Sequence, residues 1–238
     1  MLISFDITIH LVEVNNMKYI KMPKGVKKVI NKLLKEKFDE EEAQKRWNKI
    51  EQLYDKFQEE QPDIGGTKNM LWEQMYASLA MFAYYEALDR KPTLEEMEYL
   101  SVESLIGNNR TFGKVIDFNW KWFQKIYGWA YIIVKKETDK HISDGSWNNT
   151  WKFELNPEGR SEGVNIRLIG CPVYDFAKAH GYENIMPALC KSDYKIFEPF
   201  HCKMIRRHTV ANGDGYCEFW QVGDKSEAWK KVDKNTLI

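Results

Sequence analysis

The sequence predicts an α+β protein in which N-terminal helices are followed by a largely antiparallel sheet with one or two inserted helices. Three observations carry this. Apolar residues recur at helical spacing through the first half of the chain, and β-branched and aromatic runs separated by polar turns dominate after Gly128. An Ala211-Asn-Gly-Asp-Gly215 hairpin signal lies near the end.

The alternation of Ile3, Phe5, Ile7, Ile9 and Leu11 with polar residues reads as a half-buried strand, so residues 1–16 are either an edge strand or an extension preceding a second possible start at Met17. Between Lys24 and Gln61, Val26, Val29, Ile30, Leu33 and Leu34 precede Trp47, Ile50, Leu53, Tyr54 and Phe57, and Asp39 with Glu42 divides the stretch into two helices. A loop at Pro62 leads to a helix between Asn69 and Arg90 that is apolar around much of its circumference. That helix should be central. Thr93 and Glu96 form a capping box for the next helix, which Gly107 ends, and a further helix is expected over Thr111–Gln124.

Strands are expected over Trp129–Val134, Trp147–Leu155 and Val164–Ile169. Pro172 suits the first turn of a helix reaching about Ala179 with Gly181 as its stop, and a short helix over Asn184–Cys190 follows. Residues from Phe200 to Val222 should form a hairpin. With no linker or internal repeat, residues 1–238 read as one domain.

Composition narrows the function. The 35 basic and 35 acidic side chains cancel, so no long-range field draws the molecule to nucleic acid or to an acidic membrane, and neither is an expected partner. Nine tryptophans point to aromatic clusters or an aromatic-walled pocket for a small molecule. The N-terminus lacks a basic region and a targeting pattern, which makes the expected compartment the cytoplasm. The four cysteines, Cys171, Cys190, Cys202 and Cys217, form no C-x-x-C pair and are expected to be free thiols. No Gly-rich phosphate loop, G-x-S-x-G elbow or H-E-x-x-H occurs, so no organic cofactor is expected; scattered thiols leave metal binding and oligomeric state open.

Side-chain alternation sets Arg206 and His208 on one strand face, and a two-residue turn in the hairpin brings Cys217 and Phe219 to the same face; a bulge reverses that. A thiol, an imidazole and a guanidinium there can serve as nucleophile, proton shuttle and carboxylate clamp. The bland alternatives are a small buried Cys217, a surface His208 and an ion-paired Arg206. Cys190 and Asp193 share a helix face if the helix continues, where the acid can orient a base or merely cap the next segment. Cys171 precedes a helix whose dipole lowers a thiol pKa, which suits a thiolate as much as a buried cysteine suits a strand end.

The blocks Gly170-Cys-Pro-Val-Tyr-Asp-Phe-Ala-Lys-Ala-His-Gly181, Pro187-Ala-Leu-Cys-Lys-Ser-Asp193, Arg206-Arg-His-Thr-Val-Ala-Asn-Gly213 and Cys217-Glu-Phe219 resemble, in order and approximate spacing, the L-2-amino-thiazoline-4-carboxylic acid hydrolase family. The resemblance is dense over 164–220, fainter from Asn69 onward and absent before Lys24; Glu218 stands where the family often has Asp. It implies hydrolysis of a non-peptide carbon–nitrogen bond, opening a thiazoline or cyclic amidine acid toward a carbamoyl-cysteine product without an organic redox cofactor. By position it implies site roles for Cys171, Cys190, Asp193, Arg206 and Cys217, while His208 rests on strand parity alone. A non-catalytic small-ligand-binding or sensor domain is the alternative.

Because the family-like pattern begins after residue 24, a chain starting at Met17 is expected to melt within about 4 °C of the full chain, the shift that 1 kcal/mol produces in a domain of this size. A larger drop in a thermal melt would make the first strand part of the core.

Overall fold

The computed structural model describes residues 12–14, 17–107 and 109–238, with side chains from Tyr19 onward. The alternating segment 3–11 lies outside the described residues. Two short strands, β1 (Val12–Val14) and β2 (Met17–Tyr19), pair antiparallel with each other and stand apart from the main sheet.

The helical spacing after Lys24 produces α1 (Lys24–Lys37) and α2 (Glu40–Glu60), divided where the Asp39 carboxylate accepts the Glu42 N–H at 2.9 Å. Each buries one stripe, including Ile30 and Leu34 from α1 and Trp47, Ile50 and Phe57 from α2. The next helix, α3 (Trp72–Ala87), is buried around most of its circumference and packs on α2, which makes it the centre of the larger apolar cluster. α4 (Leu94–Ile106) starts at the Thr93–Glu96 capping box with both reciprocal bonds formed, and Gly107 follows its last turn.

From Thr111 to Val134 the chain departs from the sequence expectation. Only α5 (Asn109–Phe112) forms before the backbone turns away: Phe118 donates its N–H to the Phe200 carbonyl at 2.8 Å, and Asp117 accepts from the backbone and side chain of Asn119 at 2.7 Å. A long helix, α6 (Lys121–Ser143), then begins, and the expected strand Trp129–Val134 lies inside it. The cause is periodicity. Phe123, Tyr127, Val134 and Thr138 are buried at spacings of four and seven, one helical face, whereas the β-rich composition of 129–134 describes only what those residues prefer without that neighbour pattern.

The sheet runs β3 (Lys152–Leu155), β4 (Val164–Ile169), β6 (Tyr216–Gly223) and β5 (Cys202–Ile205) in the order β3-β4-β6-β5, all antiparallel. The expected strand from Trp147 is therefore shorter; Trp147 and Trp151 are buried in the approach to it. Gly163 permits the entry to β4: its φ is +74°, and a Cβ there would lie 2.2 Å from the Gln221 carbonyl oxygen.

After β4 come α7 (Pro172–His180), with Pro172 in its first turn and left-handed Gly181 at its end, and α8 (Met186–Phe197). α8 continues past the expected stop at Cys190, so Cys190 and Asp193 sit on one helix. The hairpin is not joined by a two-residue turn: the ladder ends at Ile205↔Trp220, and the connection includes a 3₁₀ turn over Val210–Asn212. The register alternates Leu168, Cys217, Ile166, Phe219, Val164 and Gln221 onto one face, toward the helices. Ile205, Trp220 and Val222 point to the other, where Trp229 of α9 (Glu227–Lys231) and Val232 at its end cover them.

Candidate functional site

Arg206, one residue beyond β5, is only 2% exposed although charged. Its Nε donates to the Glu218 carbonyl of β6 at 2.9 Å, Nη1 to the Cys190 carbonyl of α8 at 3.0 Å, and Nη2 to Asp193 Oδ2 at 2.8 Å. The guanidinium plane lies 4.1 Å from the Phe219 ring centroid and 5.5 Å from that of Tyr194. Strand parity therefore places Phe219 beside Arg206 as expected. The carboxylate held by this fork is Asp193 of the same chain, whose side chain keeps 20% exposure.

Three thiols gather beside this pair. Cys171 caps α7, its sulfur accepting the Tyr174 N–H at 3.4 Å, and it also bonds the buried Trp151. The Cys217 sulfur accepts the Val210 N–H at 3.3 Å. Cys171 is within electrostatic reach of Cys217, and Cys190 is within reach of Cys171, Cys217, Asp193 and Arg206. All three are free and pack against the same apolar cluster, whereas the fourth free thiol, Cys202, is buried in the second cluster.

The helix dipole does not leave Cys171 a thiolate. Burial pushes its thiol up to about 12, outweighing the lowering effect of the Tyr174 N–H and Trp151. Burial likewise raises Cys190, with Asp193 adding and Arg206 opposing, and raises Cys217 against the Val210 N–H and Arg206. A dipole contributes about 0.3–1 kcal/mol, less than one pKa unit, while burial of a group can move its pKa by about 3–5 units.

His208 joins a different group. Its side chain is 42% exposed, Nδ1 lies 3.1 Å from Asp214 Oδ1, and its ring sits 5.1 Å from Tyr216, which alternates onto the sheet face opposite Cys217. The ladder has ended at Ile205, so strand parity no longer governs where the imidazole goes.

Several neighbours carry no sequence signal of their own. Trp151 lies in the approach to β3; Tyr131 was hidden in the segment with strand composition, yet on α6 it packs against both clusters, bonds the Tyr127 hydroxyl at 3.0 Å and senses Asp193. Glu218 is buried and one carboxylate oxygen accepts the Arg207 N–H at 2.9 Å; its place in the Cys217-Glu-Phe219 block was the available signal. Among the described residues, no group of three or more His, Cys, Asp or Glu is arranged to hold a metal ion.

The fold and this cluster define an α+β protein whose buried cation, partly exposed carboxylate and three protonated thiols converge between sheet and helices. The chain belongs to the L-2-amino-thiazoline-4-carboxylic acid hydrolase family, whose model matches residues 72–221, well over half its length and from α3 to β6. No curated protein matches it, and no solved structure does.

Two measurements test the geometry. Arg206→Lys is expected to lower the denaturant midpoint by an amount equivalent to about 1.5–3 kcal/mol or more, since an ammonium cannot keep all three directed bonds and each hydrogen bond to a charged group is worth that much; an unchanged midpoint would remove the clamp. With Cys171 at about 12, roughly one molecule in 10⁵ carries its thiolate at pH 7, against a few per cent for a free cysteine. Native-state alkylation should be at least a hundredfold slower than in denaturant and still rising above pH 9.

Proposed function

We propose that the protein is a small-molecule hydrolase that opens a cyclic amidine or thiazoline carboxylic acid by adding water to a carbon–nitrogen double bond. The observation that carries this reading is the convergence of Cys171, Cys190, Cys217, Asp193 and Arg206, from four separate sequence blocks, on one junction between sheet and helices. The family's name supports hydrolysis.

Because the thiols are held protonated, the reading assigns attack to water rather than to a resting thiolate. Asp193, partly open to solvent, takes the proton from water as oxygen bonds to the amidine carbon, and the ring nitrogen gains a proton as the double bond becomes single. Collapse of the tetrahedral carbon forms a carbonyl as the ring C–S bond of a thiazoline, or the ring C–N bond of a cyclic amidine, breaks; the leaving sulfur or nitrogen takes the proton that the hydroxyl gives up, and the net change is the addition of one water. Arg206 holds Asp193 in place, and its remaining N–H donors are the group suited to a substrate carboxylate. The cysteines supply a compact, weakly polar wall.

A second reading, a ligand-binding or sensor domain, is favoured by one specific observation: the fork of Arg206 is already occupied by Asp193 and two carbonyls, an arrangement suited to rigidity. Incubation with a panel of thiazoline and cyclic amidine carboxylic acids, read by mass spectrometry, separates the two. The hydrolase gives a product heavier by one water that accumulates over many turnovers and is lost in Asp193→Asn; the sensor retains one unaltered ligand per chain.

A further inference from the structure

α6 is apolar on two sides. Its inner side buries Phe123, Tyr127 and Val134, but Trp122, Ile126, Trp129 and Ile133 project outward with exposures of 57%, 55%, 62% and 44%. Their spacing of four, three and four residues keeps them on one face, a row about 16 Å long. Trp120 stacks on Trp122 at 5.5 Å and widens the end of the row. A contiguous exposed apolar strip of this kind marks an interaction site.

Along the strip itself the charged residues are all basic. From residue 118 to 136 the chain has four lysines and no acid. Lys135 pairs with Asp139, and Glu137, the helix's other carboxylate, pairs with His141. Lys121, Lys125 and Lys136, on the rim of the strip, make no ion pair among the described residues.

We propose that this outer face of α6 docks on an anionic lipid bilayer, lying in the interface plane with the tryptophans and isoleucines among the headgroups and upper chains and the lysines against the lipid charge. Tryptophan suits that boundary because its ring is apolar and its N–H needs a polar neighbour. A second copy of the chain fits poorly: facing strips would bring the rim lysines of both copies together, and the carboxylates that could answer them already hold Lys135 and His141. The association is peripheral, since no helix of the described residues is long and apolar enough to cross a membrane. The balanced total charge, which predicts no membrane partner, averages over this local asymmetry.

The test is co-sedimentation of the full chain with phosphatidylcholine vesicles containing a quarter phosphatidylserine, beside vesicles of phosphatidylcholine alone, with tryptophan emission recorded. Binding with a blue shift, at least tenfold weaker on the neutral vesicles and reversed by about 1 M NaCl, is expected, since that salt shortens the screening length to about 3 Å. Trp122→Ala/Trp129→Ala should abolish the blue shift. Lys121→Glu/Lys125→Glu should weaken binding at least 25-fold, as each lysine near such a surface contributes about fivefold. All four sites are exposed, so both variants should keep the parent melting temperature, and the lysine pair tests the idea even if the tryptophan pair does not fold. Absence of binding to the anionic vesicles, or unchanged binding by the lysine variant, overturns the proposal. So does a dimer in sedimentation velocity that the tryptophan substitutions dissociate, which would assign the strip to a second copy.

Discussion

Burying a guanidinium costs several kcal/mol unless its donors are met, and the arrangement of the C-terminal half follows from how Arg206 meets that cost. Its three directed bonds reach a carbonyl of β6, a carbonyl in the middle of α8 and a carboxylate one turn later on α8. The helical carbonyl keeps its place only if α8 stays regular through Cys190, and Asp193 reaches the fork only if the helix continues for that further turn. One side chain therefore fixes the seating of α8 on the end of the sheet, and with it the position of Cys190. Phe219 and Tyr194 cover the guanidinium faces, where the ring quadrupoles favour a cation and no hydrogen bond is needed.

The same packing sets the chemistry of the thiols. A cysteine at a helix start looks activated when only the dipole is counted, and the Tyr174 N–H does point at the Cys171 sulfur. Burial is the larger effect, so the sulfur behaves as a weakly polar cap, and the salt bridge near it is that of Asp193 with Arg206. The candidate site thus has one fixed charge pair in a low-dielectric wall, in which an approaching anion or amidinium would interact more strongly than in water.

Much of this architecture is legible from local rules. The Asp39 cap, the Thr93–Glu96 box, Pro172 and Gly181 all act within four residues of themselves, and each performs its expected role. Alternation also paired Arg206 with Phe219, because the actual register coincides with the one a two-residue turn would give, even though the turn does not form. His208 shows where that logic ends: two residues further on there is no ladder, and a local carboxylate, Asp214, decides the ring's direction. The gathering of the three thiols depends on contacts among elements up to 46 residues apart, which only the order of the family-like blocks conveyed.

The misplaced strand at Trp129–Val134 has a different origin. A run such as Trp-Ala-Tyr-Ile-Ile-Val is apolar at every position, so reading it as a central strand buries both faces, whereas a surface helix buries one. The chain takes the helix because Phe123, Tyr127, Val134 and Thr138 complete an inner face that a strand of the same residues could not continue. The consequence is that Trp129, Ile132 and Ile133 are left outside with no part of the described chain over them. The surplus hydrophobicity that makes the segment look like sheet is the same surplus that makes the outer face of α6 a surface in need of a second environment, and its lysine rim restricts what that environment can be.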